Sequence, residues 1–272
     1  MSEFAIILPE AGTPAGQRAL QMLPLQKYKD FEVYVPGPVF PLLTDVDERI
    51  TLRPFEGILF QDFFPSAPWT LVLGTDLSIG PKALGRMREC IEDHPGFDVF
   101  HWNLQKALPQ FPVKASAKRL FKEMVVKETP APLSSFVFRT EAVREKASAD
   151  PSVTVNPSIL TMAVAGEVGV RTARWEHCTW QAPAPEAREQ LIRERLQLLH
   201  WTEKHFGGDY PLDTGDRLEL FAATVVRLYP QVDQDGLKEE MLSFAAASGP
   251  IRKMRAGSAL KSALQRRQEA LR

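Results

Sequence analysis

Trp69-Thr70-Leu71-Val72-Leu73-Gly74-Thr75-Asp76, followed by Pro81 and then Ala83, Leu84, Met87 and Ile91, is the stretch on which the fold turns. Its first five residues are apolar or β-branched without a break, as in a strand buried on both faces of a parallel sheet. A polar interruption follows, and Pro81 stands where a helix opens, with the later apolar residues recurring on one side. Strand, loop and amphipathic helix in that order form half of a βαβ unit.

The same pattern spreads outward in both directions. Phe4-Ala5-Ile6-Ile7-Leu8, ended by Pro9, and Phe31-Glu32-Val33-Tyr34-Val35, ended by Pro36-Gly37-Pro38, read as buried parallel strands. Between them Gly16 to Tyr28 carries Ala19, Leu20, Leu23 and Leu25 on roughly one helical face. Downstream, Val99 to Trp102 and Ser135 to Arg139 read as strands, and Glu141 to Ala147 as a helix. Between those two strands, Val113 to Pro132 is mixed, with a basic amphipathic piece from Lys114 to Phe121. Pro157 to Ala165 reads as a helix stopped by Gly166, and Val168 to Trp175 as the strand after it. Alternating strands and helices predict an α/β fold, a mostly parallel sheet covered on both faces. After Pro183 and Pro185 only helical patterns remain, at Leu191 to Phe206, Asp216 to Leu228, Asp235 to Ala247 and Ala256 to Leu271. The expected division is 1–184 for the sheet domain and 185–272 for a C-terminal helical region.

Composition narrows the functional classes. Hydrophobic residues at 44% and charged residues at 25% of 272 are ordinary globular values, against disorder or a fibrous architecture. Lys plus Arg at 33 nearly balances Asp plus Glu at 34, which removes the basic excess that would draw the molecule to nucleic acid. The opening residues lack the basic start and small-residue cleavage site of a signal peptide. No apolar stretch reaches the roughly 18 to 20 residues that span a bilayer. Cys90 and Cys178, sparse and unclustered, are expected to stay reduced, and the expected location is cytoplasmic. His200 and His205 are five apart and do not share a helical face as a metal pair at i, i+4 would. No Gly-x-Ser-x-Gly, phosphate loop or Cys-x-x-Cys occurs, so hydrolase, kinase and redox readings have no positive support.

The order of these phrases resembles the family-2 glycosyltransferases, from about Phe4 to Phe206. Ala5-Ile6-Ile7-Leu8-Pro9 is similar to the family's first strand, and Leu25 to Val33 to its helix end and second strand. Leu71 to Asp76 with Pro81 and Ala83-Leu84 resembles the strand, the Asp-x-Asp motif and the helix start that follows. Pro132 to Arg139 resembles the segment lining the acceptor side, and Ala163-Val164-Ala165-Gly166 the late helix end. The resemblance implies a GT-A-like, Rossmann-like nucleotide-sugar-binding domain. It also implies a divalent cation, Mn or Mg, bridging a carboxylate and the donor diphosphate to offset charge on the leaving group.

Residue by residue, the resemblance implies donor contacts at Pro9, Thr75 and Asp76, acceptor contacts at Ser134 and Ser135, and a metal held by Asp76 and His177. Glu10 and Gly12 stand in the loop after the first strand, where the ligand crevice of an open sheet begins; they either touch the nucleotide or form a simple turn. The chain also departs from the family pattern. Gly74 replaces the first carboxylate of Asp-x-Asp, so Asp76 is either a metal ligand or the polar end of a strand capping the next helix. Pro36-Gly37-Pro38 stands where an acidic residue holds the nucleobase, and apolar residues surround Ile58 where a basic one approaches the donor, leaving Arg53 as the substitute cation. Thr154-Val155-Asn156 stands where inverting enzymes keep an acidic pair as general base; Asp150, upstream, is the nearby carboxylate, as catalytic base or as an ordinary loop residue.

Two functions follow as expectations. One is a divergent transferase moving a sugar from a nucleotide sugar to a glycan or lipid-linked acceptor in polysaccharide biosynthesis. The other is a catalytically inactive GT-A module serving as a binding or scaffolding protein. At the C-terminus Arg252, Lys253, Arg255, Lys261, Arg266, Arg267 and Arg272 surround an apolar face of Ile251, Met254, Leu260 and Leu264. Such a helix either lies on the inner face of an anionic membrane, docks on a protein partner, or packs on its own domain.

Overall fold

The structure is a computed structural model. It describes residues 2–43, 46–74, 76–105, 112–116, 119–120, 123–124, 132–154, 156–166, 168–173 and 178–180, and single positions between 193 and 269. The chain divides into two compact units, Met1–Met124 with Glu128–Pro183, and Val125–Lys127 with Ala184–Arg272.

In the first unit, strands β1 (Phe4–Ile7), β2 (Phe31–Pro36), β3 (Leu52–Phe55) and β4 (Trp69–Val72) are parallel, with Ile7 opposite both Tyr34 and Val72. Helix α1 (Pro14–Met22) connects β1 to β2, opened by the Thr13 hydroxyl, which accepts from Gly16 N at 3.1 Å. Leaving β4, the chain forms β5 (Leu77–Ile79), helix α2 (Ala83–Glu92), β6 (Val99–His101), β7 (Leu104–Gln105) and β8 (Lys114–Ala115). It continues through β9 (Phe136–Arg139), α3 (Thr140–Ala149), α4 (Pro157–Ala165), β10 (Val170–Thr172) and β11 (Cys178–Trp180). The main sheet runs β3-β2-β1-β4-β9-β6-β10-β8, and a small sheet runs β5-β11-β7. The mostly parallel α/β sheet flanked by helices is the architecture that the alternating pattern predicts.

Two features lie outside that expectation. Strand β9 is antiparallel to both β4 and β6. Its three-residue apolar run, Phe136 to Phe138, marks a buried strand but carries no direction. Strand β3 holds Pro54, which breaks a strand pattern in sequence yet is tolerated here because β3 is the edge of the sheet. Three- and two-residue strands such as β5 and β7 are too short for any period to announce.

The core follows the pleat. Phe4, Ile6, Leu8, Val33, Val35, Leu71 and Leu73 pack with Leu20, Leu23, Leu84, Met87 and Ile91 in one buried cluster, whose members among the described residues fall between 4 and 178. Burying each such side chain contributes about 1.5 to 3 kcal/mol. On the other face Thr70 and Thr140 share a hydroxyl hydrogen bond of 2.8 Å, and Thr140 also donates to Ala67 O at 2.6 Å. Helix α4 is buried at every position from Ile159 to Ala165, and Asn156 starts it by accepting from Ser158 N at 2.8 Å.

Cys90 and Cys178 are free thiols. Among the described residues no helix is long and apolar enough to cross a membrane. In the second unit the described positions are helical, with Leu198, Trp201, Met241 and Leu242 buried and Ser262, Gln265, Arg266 and Glu269 exposed. They fall in three of the four predicted helices; Asp216 to Leu228 lies outside the described residues.

Candidate active site at the carboxyl edge of the sheet

Parallel strands that end together leave their following loops at one edge, where ligands of open α/β sheets bind. Here β1, β4 and β6 end at the same edge, and β9, running the other way, begins there, with Phe136 opposite His101. The loops after β1 and β4 and the turn before β9 are therefore neighbours by topology.

Asp76 occupies the turn that leaves β4, closed by Leu77 N donating to Gly74 O at 3.4 Å. The Ser134 hydroxyl, in the 3-10 turn Leu133–Ser135 that precedes β9, lies 2.9 Å from Asp76 Oδ1 and 3.0 Å from Oδ2. It thus donates to one carboxylate oxygen while remaining in reach of the other. Gly74 makes the arrangement fit, since a Cβ there would lie 2.5 Å from Asp76 Oδ1 and 3.7 Å from Ser134 Cβ. The residue that breaks the Asp-x-Asp pattern is the one whose missing side chain makes room for the remaining carboxylate. Ser134 is buried at 2% exposure. Ser135, fully buried, donates its hydroxyl to Pro132 O at 2.7 Å, and its carbonyl accepts from Trp102 N at 2.8 Å, joining the turn to the end of β6.

Pro9, Glu10 and Gly12 lie in the exposed loop between β1 and α1, where the Glu10 carbonyl accepts both the amide and the hydroxyl of Thr13 at 2.9 Å. Asp150 is the C-cap of α3; its Oδ1 accepts from Ser152 N at 3.0 Å and from the Ser152 hydroxyl at 2.6 Å. Nearby, Thr154 accepts from Gln61 Nε2 at 2.9 Å. Asn156, in the stretch where the acidic pair is missing, is fully buried and spends its side-chain oxygen on the first amides of α4. Thr75 and His177 lie outside the described residues, so the pairing of Asp76 with His177 does too. Among the described residues no cluster of three or more His, Cys, Asp or Glu is placed to hold a metal.

Arg53, read from sequence as the substitute cation for the donor, is instead held by Glu32 of the adjoining strand, at 2.8 and 3.1 Å. Arg53 stands opposite Tyr34, and this cross-strand pairing holds the Glu32 carboxyl below its usual range. Sequence reasoning missed Glu56. Its carboxylate occupies the space over Gly37, where a Cβ would lie 1.8 Å from Oε1. The end of β2 lacks an acid of its own, and the end of β3 brings one beside it. That pairing follows from the parallel register of Pro36 with Phe55, which no local pattern encodes. His101, at the end of β6, is 2% exposed, and burial pushes its pKa down to about 3, so the ring is neutral.

No protein-family model matches this chain, and no curated protein does. Solved structures do match, among them those of TarS from S. aureus, a GT-A-type glycosyltransferase. The crystal structure of TarS matches at TM-score 0.52 and 12% identity over 84% of this chain, which spans 44% of that one. TarS 1–349 with UDP matches at TM-score 0.54 and 12% identity, over 90% of this chain and 78% of that one. TarS 1–349 with UDP-GlcNAc matches at TM-score 0.53 and 14% identity, over 97% and 84%. Identity this low carries the backbone arrangement alone, and on that basis the chain has a GT-A-like glycosyltransferase fold.

Proposed function

We propose that the protein transfers a sugar from a nucleotide-sugar donor to a glycan or lipid-linked acceptor, through an active site that departs from the usual Asp-x-Asp pattern. The observation that carries this reading is Asp76. It is a carboxylate at the exit of the central strand, oriented by Ser134 and given room by Gly74, at the edge where such sheets bind ligands. The likeness to TarS, crystallised with UDP and with UDP-GlcNAc, supports a uridine nucleotide sugar as the donor to test first.

A divalent cation, Mn or Mg, belongs to the proposal. Such ions accept one or two protein carboxylates with the remaining ligands from substrate phosphates and water, and Asp76 fits that donor set. When bound, the ion would offset charge on the leaving diphosphate. Glu56 is the acid available to the nucleoside beside the end of β2, and the loop of Pro9, Glu10 and Gly12 borders the same edge. Asp150 is the candidate base: it would take the proton of the acceptor hydroxyl as that oxygen attacks the anomeric carbon and the nucleoside diphosphate leaves. The basic C-terminal segment would hold the enzyme at the inner face of the membrane. Its binding to anionic vesicles should weaken with salt and be lost from a chain ending at Pro250.

The experiment is a calorimetric titration of the full chain with UDP, with and without manganese. Manganese-dependent binding is expected, and Asp76→Asn should weaken it about tenfold or more while leaving the circular dichroism spectrum intact. Glu56→Gln should weaken UDP binding with or without the metal. Manganese-dependent UDP binding that Asp76→Asn leaves unchanged would overturn the assignment of the site.

A further inference from the structure

Two concavities border α1, and they differ in chemistry. The one of about 450 Å³ is lined by Leu20, Leu25, Leu42 and Val46 and contains Arg49. Arg49 is committed to Asp47, with Nε at 2.8 Å and Nη2 at 2.5 Å from its oxygens, so that concavity offers no free positive charge. The other, of about 580 Å³, runs between α1 and the segment from Leu73 to Ile79. Its size falls within the range of about 300 to 1,000 Å³ usual for small-molecule sites.

Its α1 wall is the stripe Ala15, Arg18, Ala19 and Met22, spaced at helical intervals, with Gln21 beside it and the two alanines leaving depth between the longer side chains. Arg18 is exposed and has no carboxylate partner among the described residues. Met22 is 44% exposed, a large apolar side chain standing open at the mouth. The opposite wall is Leu73, Leu77 and Ile79 with the exposed hydroxyl of Ser78. Leu73 and Leu77 stand on either side of the turn that carries Asp76, yet Asp76 does not line the groove; its carboxylate meets Ser134. One guanidinium without a carboxylate partner among the described residues, with the Ser78 hydroxyl and the Gln21 amide beside apolar side chains, suits a ligand with a single anionic head on an aliphatic body.

We propose that this groove anchors the acceptor as an amphiphilic phosphate, with the phosphate on Arg18 and Ser78 and the adjoining hydrocarbon against Met22, Leu73, Leu77 and Ile79. Calling the ligand an acceptor rests on the transferase reading above; the binding chemistry does not. A lipid-linked phosphate held here would lie against the loop that bears Asp76, within one strand end of the candidate donor site. Of the two acceptor classes, glycan or lipid-linked, the groove selects the lipid-linked one.

The test titrates the full chain with octyl phosphate below its micelle-forming concentration, with inorganic phosphate, and with neutral octyl glucoside, each with and without saturating UDP. Octyl phosphate should bind at least tenfold more tightly than either of the others, and UDP should leave that affinity unchanged. Arg18→Gln, at an exposed position where folding is not at risk, should weaken octyl phosphate about five- to tenfold. Ser78→Phe, which fills the groove from β5, should abolish binding, and neither variant should alter UDP affinity. Equal affinity for inorganic phosphate, indifference to both variants, or displacement by UDP would each overturn the proposal. Octyl phosphate binding that depends on Arg18 in a chain that fails to bind UDP would sink the donor reading and leave the groove standing.

Discussion

At Gly74 one absent side chain lets a carboxylate and a hydroxyl meet. Gly74→Ala would drive its Cβ to within 2.5 Å of Asp76 Oδ1, so the carboxylate must swing away and lose Ser134. The loss should cost about 1 kcal/mol, as should Ser134→Ala, since a hydrogen bond to a charged group contributes about 1.5 to 3 kcal/mol when buried and less at partial exposure. Both changes break the same bond, so the double variant should cost clearly less than their sum in urea unfolding; additive costs would show that the bond is not shared. His101 makes a second residue-scale prediction. Its folded pKa of about 3 lies below the roughly 6.5 of an unfolded chain, so as pH falls the unfolded state takes up the proton first. Stability should therefore decline from about pH 6.5 toward pH 3, by up to about 1.4 kcal/mol per pH unit. His101→Phe should flatten the upper part of that decline, above the range where carboxylates such as Glu32 begin to protonate. Urea midpoints at pH 7, 6 and 5 would check it, and parallel profiles for the two proteins would refute it.

At the scale of elements, β4 is the strand on which both core and site depend. Leu71, fully buried in the main cluster, should cost about 2 to 5 kcal/mol as Leu71→Ala, whereas Leu42→Ser, at a position 72% exposed, should change stability by about 0.5 kcal/mol or less. Helix α4 depends on its first residue. Asn156→Ala removes the acceptor for two amides and should cost about 1 to 2 kcal/mol, while Asn156→Asp keeps the cap. Thermal unfolding of the three proteins would rank them, and an Ala variant as stable as the native chain would show that the cap is replaceable. The sheet's β3 edge carries Arg53 and Pro54, which leave little for a second chain to pair with.

For the whole molecule, the members of the main apolar cluster among the described residues fall between 4 and 178, and the first compact unit holds its own sheet and helices. A chain ending at Pro183 should therefore unfold in one cooperative transition, with a urea m-value in proportion to its length. A broad, non-cooperative transition would mean that the sheet needs the C-terminal helical region. If the truncated chain folds, it should keep manganese-dependent UDP binding and the groove along α1, because Asp76, Ser134 and Arg18 all belong to the first unit.

Sequence by itself determined the elements whose signals are local. β1, β2, β4 and α4 follow from continuous apolar runs, helical spacing and the stops at Pro9, Pro36 and Gly166, because a buried strand or helix must be apolar along its own length. It also placed Asp76 at the end of a strand, and so at the edge where ligands bind. Only the tertiary structure decided what depends on neighbours distant in the chain. β9 runs antiparallel between β4 and β6, and that reversal brings Ser134 onto Asp76 across 58 residues. Arg53 goes to Glu32 and Glu56 lies over Gly37 because β3 joins the edge beside β2 in parallel register. Strand direction and register are properties of pairs, set by which backbones exchange hydrogen bonds, and no single segment carries them.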